Sequence, residues 1–186
     1  INNVLNLRLM KRSNLRIDQF TKNVNLRELK YRENTQPKEK EFNNLDKWID
    51  RIRDGRLKIL PFLFNSIEFK GTILELGAGT CWLGSSISKI SKVKKVYCLD
   101  ISRQILENIA PHIIDYLNAN TNKITRVVGD FHKLKFKDKT FNFVLFDGAL
   151  HHISRENFND VMNEVYRVLK DEGAVVAINE PFLMNI

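Results

Sequence analysis

From residue 71 onward, short apolar runs alternate with stretches whose apolar residues recur every three or four positions. That is the pattern of βαβ units feeding a parallel sheet. Thr72–Leu76 reads as a first strand, Val96–Leu99 as a second ending at Asp100, and Ile124–Val128 as a third. Phe141–Phe146 and Ala174–Ile178 read as the fourth and fifth. Helices are expected near Trp82–Ser91, from about Ser102 to Leu117, and near Asn157–Leu169, the last with Val161, Val165, Val168 and Leu169 at helical spacing. The fold class is therefore α/β, a doubly wound parallel sheet.

Before residue 71 the pattern is different. Phe42, Leu45, Trp48, Ile49 and Ile52 share a helical spacing with Asn44 as a candidate cap, so a helix laying an apolar stripe on the sheet is expected. Gly55 and Pro61 punctuate a second apolar stretch, Leu57–Phe64, and residues 35–41 read as a solvated linker. Residues 1–34 carry no defensible period. The chain thus divides into a mostly helical extension, 1–70, and a sheet domain, 71–186.

Composition changes this picture in one respect. The formal net charge is +8 over 186 residues, and residues 1–70 hold 16 basic against 9 acidic side chains while residues 71–186 hold 14 against 13. The basic character belongs to the extension, so there is no strong nucleic-acid signal in the sheet domain. Arg8, Lys11, Arg12 and Arg16 could meet an anionic membrane or RNA, although a solvated arm is the expected reading. With 43% hydrophobic and 28% charged residues, general disorder and collagen are excluded. Two cysteines, Cys81 and Cys98, sit beside apolar neighbours and read as reduced thiols in a cytoplasmic setting. No apolar run is long enough to span a bilayer, no secretory signal is visible, and the cysteines and histidines lack zinc-site spacing, so no metal is expected.

The candidate chemistry begins at Glu75-Leu76-Gly77-Ala78-Gly79-Thr80-Cys81-Trp82-Leu83-Gly84, which leaves a strand and opens a helix. Glycines there let backbone approach a ligand closely. A tight turn without a ligand is the bland alternative. A dinucleotide fingerprint would place a third glycine at position 82, where this chain has Trp82, a bulky indole that would obstruct helix–strand packing; a nicotinamide-dependent oxidoreductase is demoted accordingly.

Ile73–Gly79, Val96–Asp100, Gly129-Asp130, Phe141–His152 and Glu164–Gly173 follow one another in an order that resembles the class I S-adenosylmethionine-dependent methyltransferases. The resemblance extends to their broad small-molecule branch with a Leu-His-His stretch after the fourth strand, here Leu150-His151-His152. One departure is Cys81, which stands where the first motif usually carries a third glycine. The resemblance implies a Rossmann-like sheet in strand order 3-2-1-4-5-7-6, so that this chain, stopping at Ile186, would lack the last two strands. It also implies S-adenosylmethionine as cofactor. Gly77 and Gly79 would pass beneath its methionine part, and Glu75 would orient that loop or reach the amino group through water. Asp100 would meet the ribose hydroxyls with Ile101 beside it, Asp130 and Phe131 the adenine, and Asp147 the pocket near the methyl group. His151 and His152 are candidates for acid–base work, or for shaping the pocket alone. Helix capping by Asp100 and ordinary turns at Asp130 and Asp147 are the structural alternatives.

The implied function is methyl transfer to a small-molecule acceptor. The alternative is a non-catalytic or incomplete cofactor-binding domain that acts through a partner protein, associating by an open sheet edge at the fifth strand. Glu180-Pro181-Phe182 is the last pocket-facing candidate.

Overall fold

The computed structural model describes residues 15–17 and 45–181. At the centre of the sheet is β2 (Gly71–Leu76), whose pleat sends Ile73 and Glu75 to one face and Leu74 and Leu76 to the other. It is flanked by β3 (Val93–Asp100) and β5 (Phe141–Asp147). Outside these lie β4 (Ile124–Val128) and β1 (Leu15–Ile17) on one side and β6 (Leu169–Ile178) on the other. The order is β1-β4-β3-β2-β5-β6, and every neighbouring pair is parallel. The chain moves outward from β2 through β3 to β4, then returns to β5 on the opposite side. That reversal opens a crevice at the carboxyl ends of β2 and β5, where open α/β sheets bind their ligands.

Both faces of the sheet are covered. On the first, Ile73, Val96 and Leu145 pack with Leu83 and Ile87 of α3 (Trp82–Ser88), with Ile105 of α4 (Arg103–Asn108) and with Ile113 of α5 (Ala110–Tyr116). On the second, Leu74, Leu76, Val144 and Phe146 pack with Val161, Val165 and Val168 of α6 (Arg155–Val168). Before the sheet, α1 (Leu45–Asp54), a 3-10 turn (Arg56–Ile59) and α2 (Leu60–Ser66) contribute Ile52 and Leu63 to the first core, with Leu45, Trp48 and Ile49 packed against it. The apolar stripe of α1 thus docks on the sheet domain.

Several boundaries differ from the sequence pattern. The helix expected from Ser102 to Leu117 is two helices, because Pro111 has no amide hydrogen to donate and its ring crowds the preceding turn. The strand at β6 starts five residues earlier than Ala174, with a register shift between Phe141 and Phe143. Within the segment expected to be mostly helical, residues 15–17 pair with β4, a contact to residues over a hundred positions away that local periodicity cannot reveal. The basic run Arg8, Lys11 and Arg12, the linker at 35–41, and Phe42, Asn44 and Phe182 lie outside the described residues, as does the side chain of Arg16.

Residues 133–137, in which lysines alternate with Leu134 and Phe136, form an irregular segment between β4 and β5. Leu134 is buried, and α6 pins the segment: Arg167 donates to the carbonyls of Leu134 and Phe136 at 2.8 and 2.9 Å, and Glu164 accepts from the Leu134 amide at 2.8 Å. Among the described residues no helix is long and apolar enough to cross a membrane, and no group of three or more histidines, cysteines or carboxylates is placed to hold a metal ion.

Candidate cofactor and active site

The turn between β2 and α3 uses backbone conformations that side chains rarely adopt. Gly77 has φ 68°, Gly79 φ 48° and Cys81 φ 60°. A Cβ on Gly77 would lie 2.5 Å from the Ala149 side chain, so this turn presses against the segment that follows β5. A Cβ on Gly79 would meet nothing within 4 Å, so that side of the turn is open. Cys81 keeps the left-handed conformation without being glycine, at a cost on the order of 1 kcal/mol. Its thiol is fully buried.

Trp82 does not obstruct the helix. Close approach of α3 to the sheet occurs instead at Gly84, where a Cβ would come within 2.5 Å of the Cys98 sulfur and 2.7 Å of Glu75 Oε2. The Trp82 indole turns toward the end of β5, and its Nε1 donates to Asp147 Oδ2 at 2.5 Å.

Three carboxyl groups surround this turn. Glu75 is buried, and its Oε2 accepts from the Gly84 amide at 3.0 Å. Its Oε1 is also buried and meets no hydrogen-bond donor in good geometry among the described residues, the Cys98 thiol being the nearby polar group. Burial pushes the Glu75 carboxyl up to about 8, the negative charge of Asp147 adds to the rise, and the Gly84 amide opposes it. Asp100 is buried at the carboxyl end of β3: Oδ2 accepts from the Gly79 amide at 2.7 Å and Oδ1 from the Ser102 amide at 2.8 Å. The capping of α4 itself falls to Ser102, whose Oγ accepts from the Ile105 amide at 3.3 Å. Asp147 accepts from Trp82, from the Arg56 guanidinium and, at 2.7 Å, from Asn179 Nδ2.

Further along the same rim, Ile101 is half-buried after β3. Asp130 follows β4, where its Oδ1 accepts from the His132 amide at 2.9 Å and lies 2.6 Å from His132 Nδ1. The half-buried Phe131 ring stacks on His132 with centroids 5.1 Å apart. His151 and His152 lie on a 3-10 turn (Leu150–His152) after β5, their ring centroids 4.1 Å apart, and His151 Nδ1 is 2.9 Å from Glu180 Oε2.

All the sequence-derived candidates therefore lie at or just beyond the carboxyl ends of β2, β3, β4 and β5. Glu75, Asp100 and Asp147 gather around the glycine turn, whereas Asp130 and Phe131 sit two strands from β2. Arg56 and Asn179 were not foreseen. Arg56 belongs to the basic extension, just before the Leu57–Phe64 apolar stretch, and Asn179 follows the last strand, with no motif to mark either; only the fold brings them to Asp147.

Residues 73–173 match the family model of a methyltransferase domain. The chain belongs to the methyltransferase-domain family. It is 28% identical over 128 residues to the Methanocaldococcus jannaschii protein MJ0638, an alignment covering 68% of this chain and 50% of that protein. Among solved structures it is similar to the PH0226 protein of Pyrococcus horikoshii, with 28% identity, a TM-score of 0.57, and coverage of 72% of this chain and 55% of that one. It also shares its fold with a SAM-dependent methyltransferase from Aquifex aeolicus, at 21% identity and TM-score 0.52, covering 69% of this chain and 67% of that one. The chain spans about half the length of the curated relative it matches.

These matches bear out a methyltransferase domain on a Rossmann-like sheet, for which the sequence resemblance implies S-adenosylmethionine as cofactor. The site of this methyltransferase domain suits such a group. The space beside Gly79 is open, a buried oxygen of Glu75 lacks a well-aligned donor, and Asp147 and Asp100 both raise the cost of charge on Glu75, the field that a cationic ligand relieves.

Proposed function

We propose that this domain carries out S-adenosylmethionine-dependent methyl transfer to a small-molecule acceptor, within the Leu-His-His branch, in a cytoplasmic setting. The observation that carries the reading is the convergence of Glu75, Asp100 and Asp147 around the open Gly77–Cys81 turn. The cofactor, when bound, supplies an electrophilic methyl group on a cationic sulfur. Gly77 and Gly79 would give it backbone to lie against, and the side chains of Asp100 and Asp147 would favour its positive charge. Asp100, already holding the turn through the Gly79 amide, would keep lone pairs for ribose hydroxyls; Ile101 would pack beside it, and Asp130 and Phe131 would meet the adenine. His151 takes the proton of an oxygen or nitrogen acceptor, and His152 shapes the same wall. Alignment and exclusion of water supply much of the remaining acceleration. Two buried, unpaired cysteines suit a reducing compartment.

Titration calorimetry with S-adenosylmethionine tests the reading. The folded protein should bind it, and Asp100→Ala should weaken binding by tenfold or more, about 1.4 kcal/mol. A folded sample that does not bind removes the basis of the proposal.

The outer edge of β6 favours a second reading, a cofactor-binding domain that works through a partner protein. Among the described residues β6 pairs only with β5, and Val175 is 40% exposed. A stable monomer that turns over would count against it.

A further inference from the structure

Glu180 lies two residues beyond β6, yet its carboxylate is spent on the segment after β5. Oε1 accepts from the amides of Ala149 and Leu150 at 2.8 and 2.9 Å. Oε2 accepts from the His151 amide at 3.2 Å and lies 2.9 Å from Nδ1 of the same residue. The Gly148 amide, donating to the Ile178 carbonyl at 2.9 Å, ties the same two segments together just before this contact. Three successive backbone donors and one ring nitrogen thus converge on a single side chain that is 15% exposed, while the His151 side chain is 34% exposed.

An ionised carboxylate can only accept hydrogen bonds. Its contact with Nδ1 is a hydrogen bond when that nitrogen carries the hydrogen, and in a neutral imidazole the lone pair then resides on Nε2. We infer that Glu180 is a positioning residue: it fixes the turn that presents His151 and holds the neutral ring as the Nδ1–H tautomer, leaving Nε2 as the basic nitrogen. Burial alone would raise the Glu180 carboxyl, but the bonds from Leu150, His151 and Ala149 outweigh it and hold the group below the usual carboxylate range. Glu180 is thus ionised at neutral pH. A proton arriving at Nε2 would leave an imidazolium whose charge faces this carboxylate. The inference rests on the reading of His151 as the acid–base residue.

Side-chain nitrogen NMR tests it without any acceptor. With the protein labelled with nitrogen-15 on histidine and held at alkaline pH, His151 is assigned by the signal lost in His151→Asn. Its Nδ1 should show the shift of a protonated nitrogen and its Nε2 that of an unprotonated one. Glu180→Gln keeps an oxygen for the backbone amides but can offer an amide hydrogen to Nδ1, so the Nδ1–H form should lose its dominance there. An Nε2–H tautomer in the wild-type protein, or a tautomer unchanged in a folded Glu180→Gln variant, overturns the inference. Calorimetry on the same samples keeps the two readings apart. Glu180→Gln should bind S-adenosylmethionine within about twofold of wild type, and a wild-type protein that fails to bind while keeping the Nδ1–H tautomer sinks the cofactor reading but not the geometry proposed for Glu180.

Discussion

Glu75 carries the largest electrostatic tension in the site: a carboxyl buried between α3 and the sheet, near Asp147 and Asp100, with one oxygen bonded to the Gly84 amide. Its folded-state value of about 8 lies above the ordinary 4.5. Between these values the unfolded chain is ionised and the native chain still binds the proton, so native stability is fully present below about 4.5 and is lost as pH rises toward about 8. Glu75→Gln removes that titration. Urea unfolding across this window should show the wild type losing stability relative to the variant as pH rises, and a difference that stays constant would contradict the assignment. Cys98 behaves in the same sense: the neighbouring Cys81 thiol and burial hold its thiol well above the usual range, so Cys98 does not resemble a reactive thiolate.

At the level of elements, the short helix α4 depends on how it begins. Ser102 accepts from the Ile105 amide, and Asp100 accepts from the Ser102 amide, so one cap joins the end of β3 to the helix and to the glycine turn through Gly79. Ser102→Ala should cost about 1 kcal/mol in global stability. Amide exchange at Ile105 should accelerate alongside it, and unchanged exchange there would argue that the cap carries little weight. The helix is six residues long, too short to persist without its cap and its packing. Its residues were legible in the sequence from their apolar spacing, but the break before α5 was not, because apolar periodicity continues through Pro111 while the hydrogen-bond ladder does not.

Across the whole molecule, Asp147 joins three parts of the chain that are remote in sequence. Arg56 comes from the segment before the sheet, Trp82 from the start of α3, and Asn179 from the end of β6. The carboxylate is 7% exposed and the Arg56 side chain 35% exposed, so solvent screens part of the ion pair while the indole bond remains shielded. Asp147→Ala should destabilise the protein by about 2 kcal/mol, chiefly by leaving the Trp82 N–H and the guanidinium without their acceptor. Denaturant titration would measure that loss, and the emission of Trp82, separated from Trp48 by a Trp48→Phe background, should change in the native state. An unchanged midpoint would show that water replaces Asp147 without penalty.

The strands β2 to β5, the glycine turn and the carboxylates at the strand ends could be read from the sequence, since each is encoded by neighbours a few positions apart: alternation or helical spacing for the elements, glycines between a strand and a helix for the turn. The pairing of residues 15–17 with β4 could not, nor could the convergence of Arg56, Trp82 and Asn179 on Asp147 or the grip of Glu180 on His151. These contacts join residues from 29 to 111 positions apart, and no local propensity distinguishes such an arginine or glutamate from a solvated one. Sequence alone determined which residues stand at the rim of the crevice. Only the folded sheet, by bringing the carboxyl ends of its strands together, decided which of them share a hydrogen and a charge.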